Sequence, residues 1–262
     1  MDTRAIHSTR WGDAGPRVVL VHGGVQGSEA AGERSFHAQK VLAERGFRLV
    51  VPDRPGHGRS PDPGRPDDAE ADGAWVADLL EDGAHLVGHS FGGAVALAAA
   101  ARRPAAARSL TVIEPAMLSL AASDPRARRF LLRLGLATLL SLSAVSRAKR
   151  AAKLLGIPPE LAPSDPAVRE RMGRAVRRVR IPDRRTLARQ LGEIRSACIP
   201  LLVVTGGWNP AFNATGDVVA AAGGGRHVII ASPHHFPQLV SDEFNQLLAA
   251  FLRESGASRS DA

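Results

Sequence analysis

A serine lies at the centre of the sequence GHSFG, which occupies residues 88–92. An apolar run at residues 84–87 ends at this motif, and an alanine-rich stretch at residues 94–101 follows it. Where a strand ends and a helix begins at such a motif, the serine sits on a tight turn that exposes its hydroxyl for attack on a carbonyl carbon. The flanking glycines are needed because a Cβ at either position would collide with neighbouring backbone. Ser90 is therefore the candidate nucleophile.

Short β-rich runs alternate with helical stretches along most of the chain. Six such runs lie at residues 17–21, 48–51, 84–87, 110–113, 200–204 and 226–230. Continuous apolar runs of this length are typical of strands that are buried on both faces of a mostly parallel sheet. Residues 6–11 are predicted to add one antiparallel edge strand. The pattern predicts an α/β fold with helices on both faces of the sheet.

Residues that could take part in a reaction follow the ends of these runs, where the loops of an open α/β sheet converge. They comprise the sequence HGG at residues 22–24, Ser90, Glu114, the sequence GGWN at residues 206–209, and the pair His234 and His235. We therefore expect a site at this edge of the sheet.

One connection is much longer than the others. Residues 114–199 separate the fourth run from the fifth, whereas a simple crossover needs about a dozen residues. This predicts a helical cap at residues 118–197, inserted before the last two strands, on a core formed by residues 1–117 and 198–262. The leucines of residues 130–140 are expected to be mostly core, with some apolar surface left for a substrate. Trp208 and Phe212 are expected near the pocket mouth.

Positive charge is concentrated in this long connection. The formal net charge is +8, and residues 118–200 alone carry 18 Lys and Arg against 6 Asp and Glu. Arginines at helical spacing are typical of a solvated helix face, so binding to nucleic acid or to a membrane surface is an alternative that we do not expect. A homodimer stays open.

The single cysteine, Cys198, excludes an intramolecular disulfide and favours a reducing compartment. The first residues lack the apolar core of a secretory signal, and the longest apolar stretch, at residues 130–142, is too short to span a bilayer and is interrupted by Arg133. These features predict a cytoplasmic protein.

Four motifs together resemble the α/β-hydrolase superfamily. They are VHGG at residues 21–24, VPDRPGHGRS at residues 51–60, VGHSFGG at residues 87–93, and HFP at residues 235–237 before a last amphipathic helix. The resemblance implies the α/β-hydrolase fold and a serine that is activated by a histidine base. His235 is the predicted base because its surroundings resemble the catalytic-histidine loop of the family, with His234 as the alternative.

The acid departs from the commonest family pattern. Most relatives carry an aspartate after the strand that corresponds to residues 201–204, but this chain has GGWNP at residues 206–210. Some members, including zearalenone-type lactone hydrolases, place their acid one strand earlier, where this chain has Glu114. We predict Glu114 as the acid, with Asn209 and Asp217 as alternatives. Asn209 could orient an imidazole but could not stabilise its cation by charge.

By the same resemblance, the backbone amides of Gly24 and Phe91 form the oxyanion hole, and Val25 could replace Gly24. Residues 53–60 are predicted to be structural. The sequence has neither a phosphate-binding loop nor a metal-ligand spacing, so we expect no cofactor and no metal.

A serine at position 90 excludes haloalkane dehalogenase and epoxide hydrolase chemistry, for which the family uses aspartate. The predicted function is hydrolysis of a carboxylic ester or lactone of an apolar small molecule through an acyl-enzyme. The alternatives are carbon–carbon bond or thioester hydrolysis, or a non-catalytic ligand-binding protein of the same fold.

Overall fold

The computed structural model describes residues 6–28 and 31–260. The very start of the chain, on which the prediction of no secretory signal partly depends, lies outside the described residues. Among the described residues, no helix combines the length and the apolar character that a bilayer crossing requires.

In the part of the chain that the structure describes, seven strands form a single sheet in the order β1-β3-β2-β4-β5-β6-β7. They are β1 (Ser8–Trp11), β2 (Arg17–Val21), β3 (Arg48–Pro52), β4 (Ala84–His89), β5 (Ala107–Ile113), β6 (Leu201–Thr205) and β7 (Arg226–Ile229). Only β1 runs antiparallel, with Ser8 opposite Pro52 at the sheet edge, and the other neighbours are parallel. The predicted mostly parallel sheet and its antiparallel edge strand are confirmed.

Within the described residues, ten α-helices connect and cover the strands. They are α1 (Gly32–Phe36), α2 (Val41–Glu44), α3 (Ala69–Asp78), α4 (Phe91–Arg102), α5 (Pro125–Leu139), α6 (Ala144–Leu154), α7 (Pro166–Ala175), α8 (Arg184–Ser196), α9 (Pro210–Gly223) and α10 (Asp242–Ser260). Short 3₁₀ turns cover His37–Lys40, Leu118–Ala121 and Pro237–Leu239.

Side chains alternate between the two faces of the sheet, so the inner strands β2 to β6 each contribute to two buried clusters. In β2, Val19 and Val21 belong to the cluster that includes residues of α3, α4, α8 and α9, whereas Val18 and Leu20 belong to the cluster on the other face, which includes residues of α10. Burial on both faces explains why the strand sequences are continuously apolar.

The long connection folds into α5, α6, α7 and α8, between β5 and β6. Aspartates begin α5, α7 and α8, because the side chains of Asp124, Asp165 and Asp183 accept backbone N–H groups that have no partner within the helix. Leu187 and Ile194 of α8 belong to the buried cluster beneath the sheet. That helix is therefore part of a core layer, and the cap boundary at residue 197 stays a prediction.

The leucines of α5 differ from the expectation. Phe130 is buried, but Leu132, Leu136, Leu139 and Leu140 are exposed. The prediction that these leucines are mostly core is wrong, because the face of α5 that carries them has no neighbouring element to pack against among the described residues.

Candidate active site

Ser90 occupies a strained turn between β4 and α4. Its φ is 55° and its ψ is −119°, a conformation that residues other than glycine rarely adopt. An added Cβ at Gly88 would lie 2.3 Å from the carbonyl oxygen of Gly92, and one at Gly92 would lie 2.2 Å from that of Val21. Both glycines are therefore required by the close backbone approach, and the turn fixes the direction of the Ser90 hydroxyl.

The side chains of Ser90 and His235 meet across the sheet edge. The distance from Ser90 Oγ to His235 Nε2 is 2.9 Å, although 145 residues separate the two in sequence. His235 is buried, and hydrogen bonds hold its backbone on both sides of the ring. The backbone N–H of His235 donates to the carbonyl of Gly156 at 3.2 Å, and the backbone carbonyl oxygen of His235 lies 2.8 Å from His89 Nε2.

Glu114 lies on the far side of the His235 ring. Its Oε2 is 3.0 Å from His235 Nδ1 and accepts the indole N–H of Trp208 at 2.8 Å, while its Oε1 accepts the backbone N–H of Gly206 at 2.6 Å. The side chain has no solvent exposure. An ionised carboxylate only accepts hydrogen bonds, so His235 Nδ1 must carry the proton, which leaves Nε2 free to accept from Ser90 Oγ.

The three alternatives from sequence lie in other environments. His234 Nδ1 accepts the N–H of Phe236 at 3.2 Å and lies 3.3 Å from the hydroxyl of Ser232. Asn209 caps α9 by accepting the N–H of Ala211. The mostly exposed carboxylate of Asp217 lies 2.7 Å from His227 Nδ1. The structure therefore brings together Ser90, His235 and Glu114.

Aromatic rings surround His235. The Phe212 ring centroid is 4.8 Å from that of His235, and the rings of Phe130 and Trp208 in turn contact Phe212. Phe212 is buried within this cluster, and the expectation that it and Trp208 lie near a pocket mouth stays a prediction. The hydrogen bond from Trp208 to Glu114 could not be predicted, because it joins residues 94 positions apart and no motif in the sequence links the two.

Three further histidines beneath the site are buried and held neutral. Burial, followed by the nearby Arg54 guanidinium, lowers the pKa of both His22 and His57 well below the ordinary value. Burial and the neighbouring His235 ring lower the pKa of His89 in the same way. These rings act as hydrogen-bonding scaffold rather than as charges.

Arg54 contacts both residues that were predicted to form the oxyanion hole, Gly24 and Phe91. Its Nη2 donates to the carbonyl of Gly24 at 3.1 Å, and its Cζ lies 4.6 Å from the centroid of the Phe91 ring. The arginine is fully buried and its Nη1 donates to both Asp67 and Asp72. The structural role predicted for residues 53–60 thus includes support of the loop that carries Gly24.

The Gly24 loop lies directly beside the nucleophile. A Cβ added to Gly23 would be 2.7 Å from the Cβ of Ser90, whereas one added to Gly24 would meet no atom within 4 Å. The turn therefore packs tightly against Ser90 at Gly23, whereas the position of a side chain at Gly24 is not occupied by other protein atoms.

The family of this chain follows from a comparison with family models. The model described as the alpha/beta hydrolase family matches residues 18–247, which is most of the chain. The protein belongs to the alpha/beta hydrolase family. The resemblance inferred from four motifs is confirmed, and so is the fold class.

Individual relatives match either part of the chain or the whole chain at low sequence identity. Lipase LipV of Mycobacterium tuberculosis is 34% identical over 117 residues, which cover 43% of this chain and 42% of the lipase. The match thus spans less than half of that relative. An esterase from Exiguobacterium antarcticum has the same fold, with a TM-score of 0.71, 20% identity and 95% coverage of both chains. The N-acyl homoserine lactonase AidH is similar at a TM-score of 0.69 and 21% identity, with 95% of this chain and 93% of the lactonase covered.

Proposed function

We propose that this alpha/beta hydrolase is a serine hydrolase that cleaves a carboxylic ester or lactone of an apolar small molecule through an acyl-enzyme. The observation that carries the proposal is the continuous hydrogen-bonded chain from Ser90 Oγ through both nitrogens of His235 to Glu114 Oε2, with distances of 2.9 and 3.0 Å. This is the geometry in which a weak hydroxyl becomes a nucleophile.

The first half-reaction forms the acyl-enzyme. His235 Nε2 takes the proton of Ser90 as Oγ attacks the carbonyl carbon, and the carbonyl oxygen becomes an oxyanion. The backbone N–H groups of Gly24 and Phe91 stabilise that oxyanion. The imidazolium then gives its proton to the leaving alkoxide while the C–O bond breaks.

The second half-reaction releases the acid. Water gives a proton to His235 and adds to the acyl carbon, and Ser90 departs with the proton that His235 returns. Glu114 remains ionised throughout and stabilises the imidazolium of both steps. In a lactone the alkoxide and the acyl group are one molecule, so the first step opens the ring without releasing a product.

The surroundings of His235 support an apolar substrate. Phe212 and Trp208 lie next to the His235 ring, and the buried Phe130 packs behind Phe212. Trp208 is the partly exposed member of this cluster, and an aromatic wall of this kind favours hydrocarbon or aryl groups over hydrated ones. The carboxylate position after β5 also supports a lactone, because the family members that this placement resembles include lactone hydrolases.

The test combines turnover with covalent labelling. Wild-type protein and Ser90→Ala are assayed on aryl esters of increasing acyl length, on lactones and on thioesters, and each is treated with a fluorophosphonate probe. We expect turnover and a single adduct on Ser90 in the wild type, and neither in the variant. Retained turnover by Ser90→Ala would remove the covalent mechanism, and wild type that shows neither turnover nor labelling would be a ligand-binding protein.

A further inference from the structure

The exposed face of α5 carries a stripe of leucines that continues into the turn before α6. Leu132, Leu136 and Leu139 lie three or four residues apart, so they share one side of the helix. The exposed fractions are 62% for Leu132, 54% for Leu136, 68% for Leu139, 64% for Leu140 and 103% for Leu142. A row of large apolar side chains at this exposure marks a contact surface rather than scattered surface hydrophobes.

Basic side chains border this leucine stripe. Neither α5 nor α6 contains an acidic residue. The exposed basic residues of the two helices, setting aside Arg126, which pairs with Asp124, are Arg128, Arg129, Arg133, Lys149, Arg150 and Lys153. Arg150 Nη1 reaches the carbonyl of Leu140 at 3.5 Å, which places α6 charges beside the stripe.

From these two features we propose that the leucine stripe of α5, with its basic border, docks on an anionic lipid surface. A helix with leucines on one face and arginines at its margins is suited to lie in the plane of a bilayer interface, with the leucines in the acyl boundary and the cations among the headgroup phosphates. The apolar stripe supplies the contact that positive charge alone lacks, and it reverses the expectation of no membrane partner.

Charge also decides against a second copy as the occupant. A symmetric dimer through this surface would bring the same basic border of both copies together. Like charges across an interface oppose association, whereas an anionic surface neutralises them.

The opposite face of α5 reaches towards the candidate active site. Phe130 packs on Phe212 with ring centroids 5.4 Å apart, and Phe212 packs on His235. Docking would therefore hold the lipid surface against the outer side of a helix whose inner side contacts the site. Binding itself does not depend on catalysis.

The experiment measures flotation with vesicles, and Ser90→Ala serves as the parent so that the lipids are not altered. Vesicles contain phosphatidylcholine alone or equal parts of phosphatidylcholine and phosphatidylglycerol. We expect binding only to the anionic vesicles. Leu136→Ser with Leu139→Ser should reduce partitioning at least about tenfold, and Arg129→Gln with Arg133→Gln should reduce it on the order of tenfold and weaken its salt dependence.

Matched controls keep the result specific. Val240→Ser and Arg102→Gln remove an exposed apolar and an exposed basic residue outside α5 and α6, and both should bind as the parent does. Thermal unfolding verifies that every variant is folded. Absence of vesicle binding at low salt would overturn the proposal, and so would binding that is insensitive to the two serines. A dimer in sedimentation that becomes monomeric in Leu136→Ser with Leu139→Ser would assign the stripe to self-association instead.

Discussion

Replacement of Glu114 by glutamine removes the charge of the candidate acid but keeps the shape of its side chain. Glu114 Oε2 lies 3.0 Å from His235 Nδ1 in a site without solvent exposure. Two unit charges with centres about 4 Å apart interact by about 4 kcal/mol at an effective dielectric constant of about 20. If this attraction stabilises the imidazolium of the transition state, Glu114→Gln should lower kcat by about a thousandfold.

The substitution also disturbs the hydrogen bonds of the buried carboxylate, which lowers stability. The two carboxylate oxygens accept from Gly206, Trp208 and His235, whereas a glutamine has only one acceptor oxygen. Its amide N–H groups must therefore face a donor on one side, either Gly206 or the pair formed by Trp208 and His235. Such a mismatch costs about 1–3 kcal/mol of stability when buried, and in the second orientation it also favours the wrong tautomer of His235.

The assay is steady-state and burst kinetics with an aryl ester that the wild type hydrolyses, and urea unfolding reports how much of each variant is folded. Asn209→Ala is the matched control. It removes the helix cap on Ala211, so we expect about 1 kcal/mol of lost stability and kcat within about threefold of wild type, since less than 1 kcal/mol would reach the transition state. A larger loss of kcat in Asn209→Ala than in Glu114→Gln would refute the assignment of the acid.

Two further predictions concern the scaffold beneath the site. Arg54→Met leaves Asp67 buried without a cation, whereas Asp72 loses one of its two arginines and keeps Arg65. Urea unfolding should therefore show a loss of about 3–5 kcal/mol, and kcat should fall because Gly24 loses its anchor; unchanged stability would contradict this role. Burial, followed by Arg108, lowers the pKa of His85 from 6.5 to about 4, so the unfolded chain takes up a proton before the folded chain does, and stability falls as pH drops from 6.5 towards 4. His85→Gln should flatten this decline by up to about 3 kcal/mol in urea unfolding across that pH range, and the same pH dependence in both proteins would show that His85 does not contribute.

The sheet was predictable because its signals are local. Each strand that is buried on both faces is a continuous apolar run, and the turn at Ser90 needs glycines on both sides whatever surrounds it. The predicted strand runs match β2 to β7 to within a few residues, since strand ends depend on hydrogen bonds to neighbouring strands that a single run does not encode.

The long connection was harder to predict for the same reason. Leucines at helical spacing predict an apolar face, but the spacing does not say what covers it. In α8 that face packs under the sheet at Leu187 and Ile194, whereas in α5 the row of Leu132, Leu136 and Leu139 is exposed.

The amino-acid sequence by itself determined the alpha/beta hydrolase fold, the strained serine turn and the short set of polar residues at one edge of the sheet. Only the tertiary structure decided which of them meet: it placed His235 rather than His234 on Ser90, and Glu114 rather than Asn209 on His235. The physical reason is that a hydrogen bond between residues 145 positions apart depends on directions and distances to within a fraction of an ångström. Those are set by the packing of the whole sheet and by donors such as Trp208.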